Sequence, residues 1–165
     1  MSEMRTSVSR CHHVFVAVAV AVALLPSTPL VGQSNEKAVR EAVEAFLLHL
    51  GDHDWDKVTA DLAPKGIVIV ARERNGEWGT TFQTTEEWLT ALKRTPNPTT
   101  FREPITNVKV TIDGDHLAYL RADFQVMRDG TPQSQGVDQF TLVSEGGVWK
   151  IAVIAYTSAP PKPVR

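Results

Sequence analysis

The sequence predicts an α+β domain in which helices come first and a meandering antiparallel sheet comes last. Residues 36–50 place apolar side chains at helical spacing, which indicates an amphipathic helix. Residues 116–128 and 136–156 alternate apolar and polar side chains around short glycine turns, as antiparallel strands do. Three N-terminal helices that pack on a curved, mainly antiparallel sheet satisfy both patterns.

Residues 1–32 are predicted to be a signal peptide. Arg5 and Arg10 form a basic start, residues 14–25 form an apolar run, and small residues precede a cut after Gly32. The run holds 12 residues, fewer than the roughly 20 that span a bilayer. We therefore expect export to the periplasm or the medium, with no membrane attachment after cleavage; an uncleaved anchor is the alternative.

Charge and cysteine content argue against several classes of protein. The net charge is −2 and no stretch is rich in Lys and Arg, so a nucleic-acid partner is not expected. The single cysteine, Cys11, precedes the apolar run, so we expect neither a lipoprotein nor a disulfide in the mature chain. One domain, residues 33–158, and a proline-rich flexible tail, residues 159–165, account for the rest.

Capping residues place the first two helices. Ser34 or Asn35 can cap a helix over residues 36–50, which Gly51 would stop. Asp54 can cap a second, short helix from Trp55 to Leu62.

The middle of the chain predicts one strand and one helix before the sheet. Residues 66–72 are apolar and β-branched, which is typical of a buried strand, and Asn75 with Gly76 indicates a turn. Thr84 or Thr85 can cap a third helix. Prolines follow as an extended link over residues 96–104, and the alternating strand 104–113 leads into the sheet.

Three stretches resemble the nuclear transport factor 2-like superfamily, which includes the SnoaL-like domains. They are the helix-bend-helix over residues 42–62 with its His-Asp-Trp-Asp bend, the strand 136–143, and the closing run Gly-Val-Trp-Lys-Ile at 147–151. The resemblance covers residues 35–158 and implies a cystatin-like cone with a pocket between helices and sheet. The superfamily contains isomerases, dehydratases, cyclases and binding modules, so it selects no single function.

Asp138 is the candidate catalytic residue. Its neighbours on the same face of the predicted strand are Gly136, Phe140 and Leu142, so the carboxyl would be desolvated. Desolvation raises the pKa of a carboxyl, which suits a general base or a hydrogen-bond donor. A carboxylate near a strand end, paired with Arg or facing solvent, is the alternative.

Other side chains are candidates to line the pocket. Trp88 can wall it from the third helix, Tyr119 and Tyr156 can donate hydroxyl groups, and His49 lies beside small residues on the first helix. Arg121 could line the cavity or pair with its strand neighbour Asp123. The candidate pocket residues are Trp88, Tyr119, Arg121, Phe140, Tyr156 and His49.

Metal, cofactor and nucleophile motifs are not found. His49 and His53 are four apart, but no His-Glu-x-x-His pattern or phosphate-binding glycine loop accompanies them. No Gly-x-Ser-x-Gly turn indicates a serine nucleophile. We therefore expect no cofactor and no metal.

Three functions remain open. The leading one is an exported domain that binds a small apolar or aromatic molecule in a cone-shaped pocket, without assigned chemistry. The alternative is an isomerase- or dehydratase-like enzyme that uses Asp138 with a tyrosine or His49. The third is a homodimeric association domain in which Tyr119, Thr141 and Val143 meet across a two-fold axis.

Overall fold

The computed structural model describes residues 31–95 and 99–162, with side chains from residue 35 onward. The predicted signal peptide therefore lies outside the described residues up to position 30, as do the last three residues of the predicted tail. Within the described ranges, no helix is both long enough and apolar enough to cross a membrane.

Three helices and six strands make up the described chain. In order they are α1 (Val31–Asp52), α2 (Trp55–Asp61), β1 (Leu62–Arg74), β2 (Glu77–Thr84), α3 (Thr85–Lys93), β3 (Ile105–Asp113), β4 (Leu117–Arg128), β5 (Thr131–Glu145) and β6 (Val148–Ser158).

The strands form one curved sheet in the order β2-β1-β6-β5-β4-β3. All neighbouring strands are antiparallel except β1 and β6, which run parallel. β6, the last strand, therefore lies in the middle of the sheet, between β1 and β5. The α+β class with a cone-like sheet and three helices is confirmed.

The core lies between α1 and the inner face of the sheet. Val39, Val43 and Phe46 of α1 are buried against Leu120 and Phe140. Burying side chains of this size stabilises the fold by about 1.5–3 kcal/mol each. The apolar side chains at helical spacing in α1 and at alternate positions in β4 and β5 all pack in this one interface.

The order of the elements differs from the prediction in two respects. β2 was not predicted, because nearly all of its residues are exposed at the edge of the sheet and show no burial alternation. As α3 follows β2, the helices are not all N-terminal to the sheet.

Gly51 does not stop α1. The helix continues to Asp52, and His53 takes the positive φ of 59° that ends it. Gly51 is needed for a different reason: a Cβ there would lie 2.3 Å from the carbonyl oxygen of Phe101.

The predicted cap Thr84 begins α3 with a full capping box. Its Oγ1 accepts from the Glu87 amide at 3.1 Å, and Glu87 Oε2 accepts from the Thr84 amide at 2.8 Å. We expect Thr84→Ala to lower the free energy of unfolding by about 1 kcal/mol, measured by urea denaturation. Thr84→Ser keeps the hydroxyl and is the matched control; equal loss in both variants would contradict the role of the cap.

The predicted loose tail is fixed at its first residue. The amide of Ala159 donates to the carbonyl of Gln135 at 2.9 Å, and the amide of Gln135 donates back at 2.9 Å. The chain beyond β6 therefore starts as an extension of the sheet.

Candidate functional site

A cavity of about 740 Å³ opens between the helices and the inner face of the sheet. Aromatic rings form much of its wall. The Phe46 ring stacks near Trp88, with centroids 6.4 Å apart, and meets the edge of Phe140 at 6.0 Å. His53 and Phe101 also line the cavity and contact each other, with centroids 6.0 Å apart.

Asp138 lies on the cavity wall in the middle of β5. It shares the inward face with Phe140 and Leu142, so the alternation of the strand places it there, and only 2% of it is exposed. In the described part of the chain, no donor reaches its buried Oδ2 atom. An ionised carboxylate in this position would be poorly solvated.

Glu103 brings a second carboxyl to the same place. Its side chain lines the cavity and lies within hydrogen-bonding range of Asp138. Two carboxyl groups can share a hydrogen bond only if one of them holds a proton. The pair, here called the carboxyl dyad, can therefore form a carboxyl–carboxyl hydrogen bond when one of the two groups is protonated.

The backbone on both sides of Glu103 is hydrogen-bonded to β4. The Arg102 amide donates to the Met127 carbonyl at 2.9 Å, the Met127 amide donates back at 2.7 Å, and Gln125 donates to the Pro104 carbonyl at 3.3 Å. Arg102 points outward and pairs with Asp52 at 2.7 Å. Because alternate side chains of an extended segment point to opposite sides, Glu103 points inward.

Glu103 is not among the residues predicted for the site, because residues 96–104 are predicted to be only an extended link. One signal was present: Pro104 holds the preceding residue in an extended conformation, and an extended Glu next to a predicted strand can join its face.

The protonation of the dyad is shifted toward the neutral acid. Desolvation, followed by the nearby charge of Glu103, raises the pKa of Asp138 to about 9. Desolvation also raises the pKa of Glu103, to about 7. The two groups titrate as a pair, and the direction is upward for both. Because both pKa values are raised, the neutral acid form is favoured in the pair near neutral pH.

Tyr156 lies next to the carboxyl dyad, and Glu103, Asp138 and Tyr156 together form the polar cluster of the cavity. It is the cross-strand partner of Asp138 on β6, and its hydroxyl accepts from Nη2 of Arg72 at 3.5 Å. Desolvation raises the pKa of Tyr156, so the phenol keeps its proton and can donate it in a hydrogen bond.

Four predicted site residues therefore lie on the cavity: Asp138, Trp88, Phe140 and Tyr156. The other three, Tyr119, Arg121 and His49, lie outside it, contrary to the prediction that they line the pocket. Tyr119 lies on the outer face of β4, because the inner face there is taken by Ala118 and Leu120.

Arg121 is held by an ion pair and His49 by a hydrogen bond, both away from the cavity. Arg121 is also on the outer face of β4 and pairs with Asp123 at 2.6 Å, the alternative that the sequence left open. His49 Nδ1 lies 2.7 Å from Asp61 Oδ2, which ties α1 to α2.

Metal-ligand geometry is not present in the described residues: no three His, Cys, Asp or Glu side chains are grouped so that they could hold an ion. The cavity lining itself offers carboxyl, hydroxyl and guanidinium groups together with aromatic rings.

The fold and the site define a cone-shaped α+β domain with a polar cluster inside an aromatic cavity. The family model of the SnoaL-like domain matches residues 34–155, and the chain belongs to this family. Solved structures with the nuclear transport factor 2-like fold share the architecture of this chain. None of the curated proteins matches the chain significantly.

Two solved structures from Novosphingobium aromaticivorans share the fold. One, provisionally assigned as the β subunit of an aromatic-ring-hydroxylating dioxygenase, has a TM-score of 0.63 and 15% identity, over 82% of this chain and 95% of that chain. The other, provisionally assigned as a scytalone dehydratase, has a TM-score of 0.61 and 14% identity, over 81% and 91%.

A third structure, from Streptomyces avermitilis, is provisionally assigned as a dehydratase of the same superfamily. Its TM-score is 0.58 and its identity 16%, over 80% of this chain and 99% of that chain. At these identities, the three likenesses establish the fold alone.

Proposed function

We propose that this protein is an acid–base enzyme that moves a proton next to a carbonyl group of a small, largely apolar substrate. The observation that carries the proposal is the carboxyl dyad of Glu103 and Asp138 on the wall of the cavity. Buried carboxyl groups with separated pKa values suit one acid and one base. The reaction class is isomerisation or dehydration.

Glu103 is the base in this proposal. Its raised pKa places it near neutral pH, where a carboxylate is strong enough to take a proton and is still partly ionised. It removes a proton from the carbon next to the carbonyl, and the electron pair of that C–H bond moves toward the carbonyl oxygen.

Asp138 and Tyr156 are the donors. Both hold their protons at neutral pH and are cross-strand partners, so both can donate to the same carbonyl oxygen as it gains negative charge. The proton on Glu103 then returns to a different carbon in an isomerisation. In a dehydration it leaves with a β-hydroxyl group as water.

The shape and lining of the cavity favour a ring-shaped substrate. The volume of the cavity falls within the range of about 300–1,000 Å³ typical of small-molecule sites. Phe46, Trp88 and Phe140 offer flat apolar surfaces, and the polar groups gather around the dyad. The provisional dehydratase assignments of two neighbours agree with proton-transfer chemistry in this fold.

Hydrogen–deuterium exchange tests the proposal without knowledge of the natural substrate. The protein is incubated in D₂O with cyclohexanone, 1-indanone or 1-tetralone, and exchange next to the carbonyl is followed by proton NMR. We expect faster exchange with the wild type than with the double variant Glu103→Gln/Asp138→Asn. If the wild type and the double variant gave equal exchange rates with each of the three ketones, the enzyme proposal would be overturned.

Binding without chemistry is the second candidate, and the aromatic wall is the observation that favours it. In that case the wild type and the double variant would bind the ketones with the same affinity, and neither would accelerate exchange. The two candidates differ in the rate alone, so one experiment separates them.

Export and self-association are also proposed. The basic and apolar start of the sequence supports export through a signal peptide. Exposed apolar side chains on the sheet, such as Ile67, Phe82 and Tyr119, support a homodimer. Light scattering after size exclusion tests the dimer, and the mass of the exported protein tests cleavage after Gly32.

A further inference from the structure

A second cavity, of about 500 Å³, lies between the inner face of β2 and α3. It shares Arg72, Trp88, Leu92 and Tyr156 with the main cavity. These side chains stand at the junction of the two spaces. A ligand in the main cavity that is longer than one ring would pass the guanidinium of Arg72.

Small strand partners leave Arg72 uncovered. Its neighbours across the sheet are Gly79 on β2 and Ser158 on β6. A Cβ built on Gly79 meets nothing within 4 Å, so the sheet surface beside Arg72 is open at this strand position. The only protein hydrogen bond assigned to this side chain among the described residues is the long one to Tyr156.

The charge of Arg72 is also uncompensated at close range. None of the ion pairs found among the described residues includes it. The neighbouring cation Arg74 has Glu77 as its strand partner, whereas both partners of Arg72 are uncharged. An arginine donates from two parallel N–H groups, which matches the two oxygens of a carboxylate.

We propose that Arg72 binds a carboxylate of the ligand at the junction of the two cavities. The substrate class is then an aromatic or alicyclic carbonyl compound that carries an acid group. This inference rests on the proposed function for the placement of the carbonyl at the dyad. The acid group then lies on the far side of the Tyr156 hydroxyl from the dyad, and the guanidinium charge offsets its repulsion from an ionised dyad carboxylate.

A matched pair of ligands tests the carboxylate site by binding alone. The probes are trans-cinnamate and cinnamamide, which have the same shape and differ in charge; their dissociation constants are measured by calorimetry at low salt. We expect the wild type to bind cinnamate about tenfold more tightly. Arg72→Gln is expected to abolish this preference and to leave the affinity for cinnamamide unchanged.

Arg128→Gln is the control, because Arg128 also lines the main cavity but lies at the far end of β4. It should retain the preference for cinnamate. Three results would overturn the proposal: equal affinities in the wild type, no cinnamate binding up to millimolar concentration, or equal weakening of both probes by Arg72→Gln. The last result would mean that Arg72 only positions Tyr156.

The dyad double variant separates this proposal from the enzymatic one. If it keeps the preference for cinnamate while exchange is lost, both proposals stand. If the wild type catalyses exchange but shows no preference, only the carboxylate site fails.

Discussion

Replacing Glu103 by Gln is expected to lower the catalysed exchange rate by about 10²- to 10⁴-fold, the usual contribution of a general base. The amide keeps the shape of the side chain but cannot take a proton. Asp138→Asn is expected to cost less, about tenfold, because an amide still donates a hydrogen bond to the carbonyl oxygen. The exchange rates of the two single variants, measured by NMR, rank the two roles.

The pH profile adds a readout that a structural defect would not reproduce. With Glu103 as the base, the rate rises with pH through the raised pKa of this group, near 7. Asp61→Asn, which changes a carboxyl outside the cavity, is the control and should leave the profile unchanged. A larger loss in Asp138→Asn than in Glu103→Gln would reverse the assignment of base and donor.

Stability is expected to fall as pH rises from about 5 to 9, because the dyad must lose protons that the folded chain prefers to keep. In the unfolded chain both groups have ordinary pKa values near 4, and folding raises them to about 7 and 9. Between these limits the folded chain binds more protons than the unfolded chain. The free energy of unfolding then decreases by up to about 1.4 kcal/mol per pH unit for each proton lost on unfolding.

Urea denaturation at pH 5, 7 and 9 measures this slope. The double variant Glu103→Gln/Asp138→Asn should be much flatter over the same range, because neither amide titrates. Carboxyls with lowered pKa values, such as Asp123, act in the opposite sense but only at lower pH, so Asp123→Asn should keep the slope. A wild type whose stability is constant from pH 5 to 9 would show that the dyad is not desolvated.

The sequence could predict Asp138 but not its partner. The position of Asp138 follows from the two-residue period of β5, a local property. Glu103 reaches the cavity only because the chain after α3 folds back and binds the backbone of β4 around Met127. This contact joins residues distant in sequence, and no periodic pattern encodes it.

The errors at Tyr119 and Arg121 have a common cause. Each residue has suitable chemistry, and each is next to small or apolar neighbours in the sequence. Alternation on β4 was correctly read, with Ala118, Leu120 and Ala122 on one side. The apolar side is the one that faces the cavity, so the polar side faces outward.

The edge strand β2 could not be predicted for a related reason. Burial patterns identify strands that cover a core, whereas an edge strand that is exposed on both faces has no such pattern. The same exposure leaves space on its inner side for the second cavity.

The hydrogen bonds between Ala159 and Gln135 extend the part of the chain that forms the cavity beyond the last strand. Ala159 and Pro160 line the main cavity, although the family match stops at residue 155 and the last strand at Ser158. The family similarity therefore describes the scaffold, whereas part of the cavity wall is made by residues beyond it. Two family members with the same scaffold can thus enclose differently shaped ligands through their C-terminal residues alone.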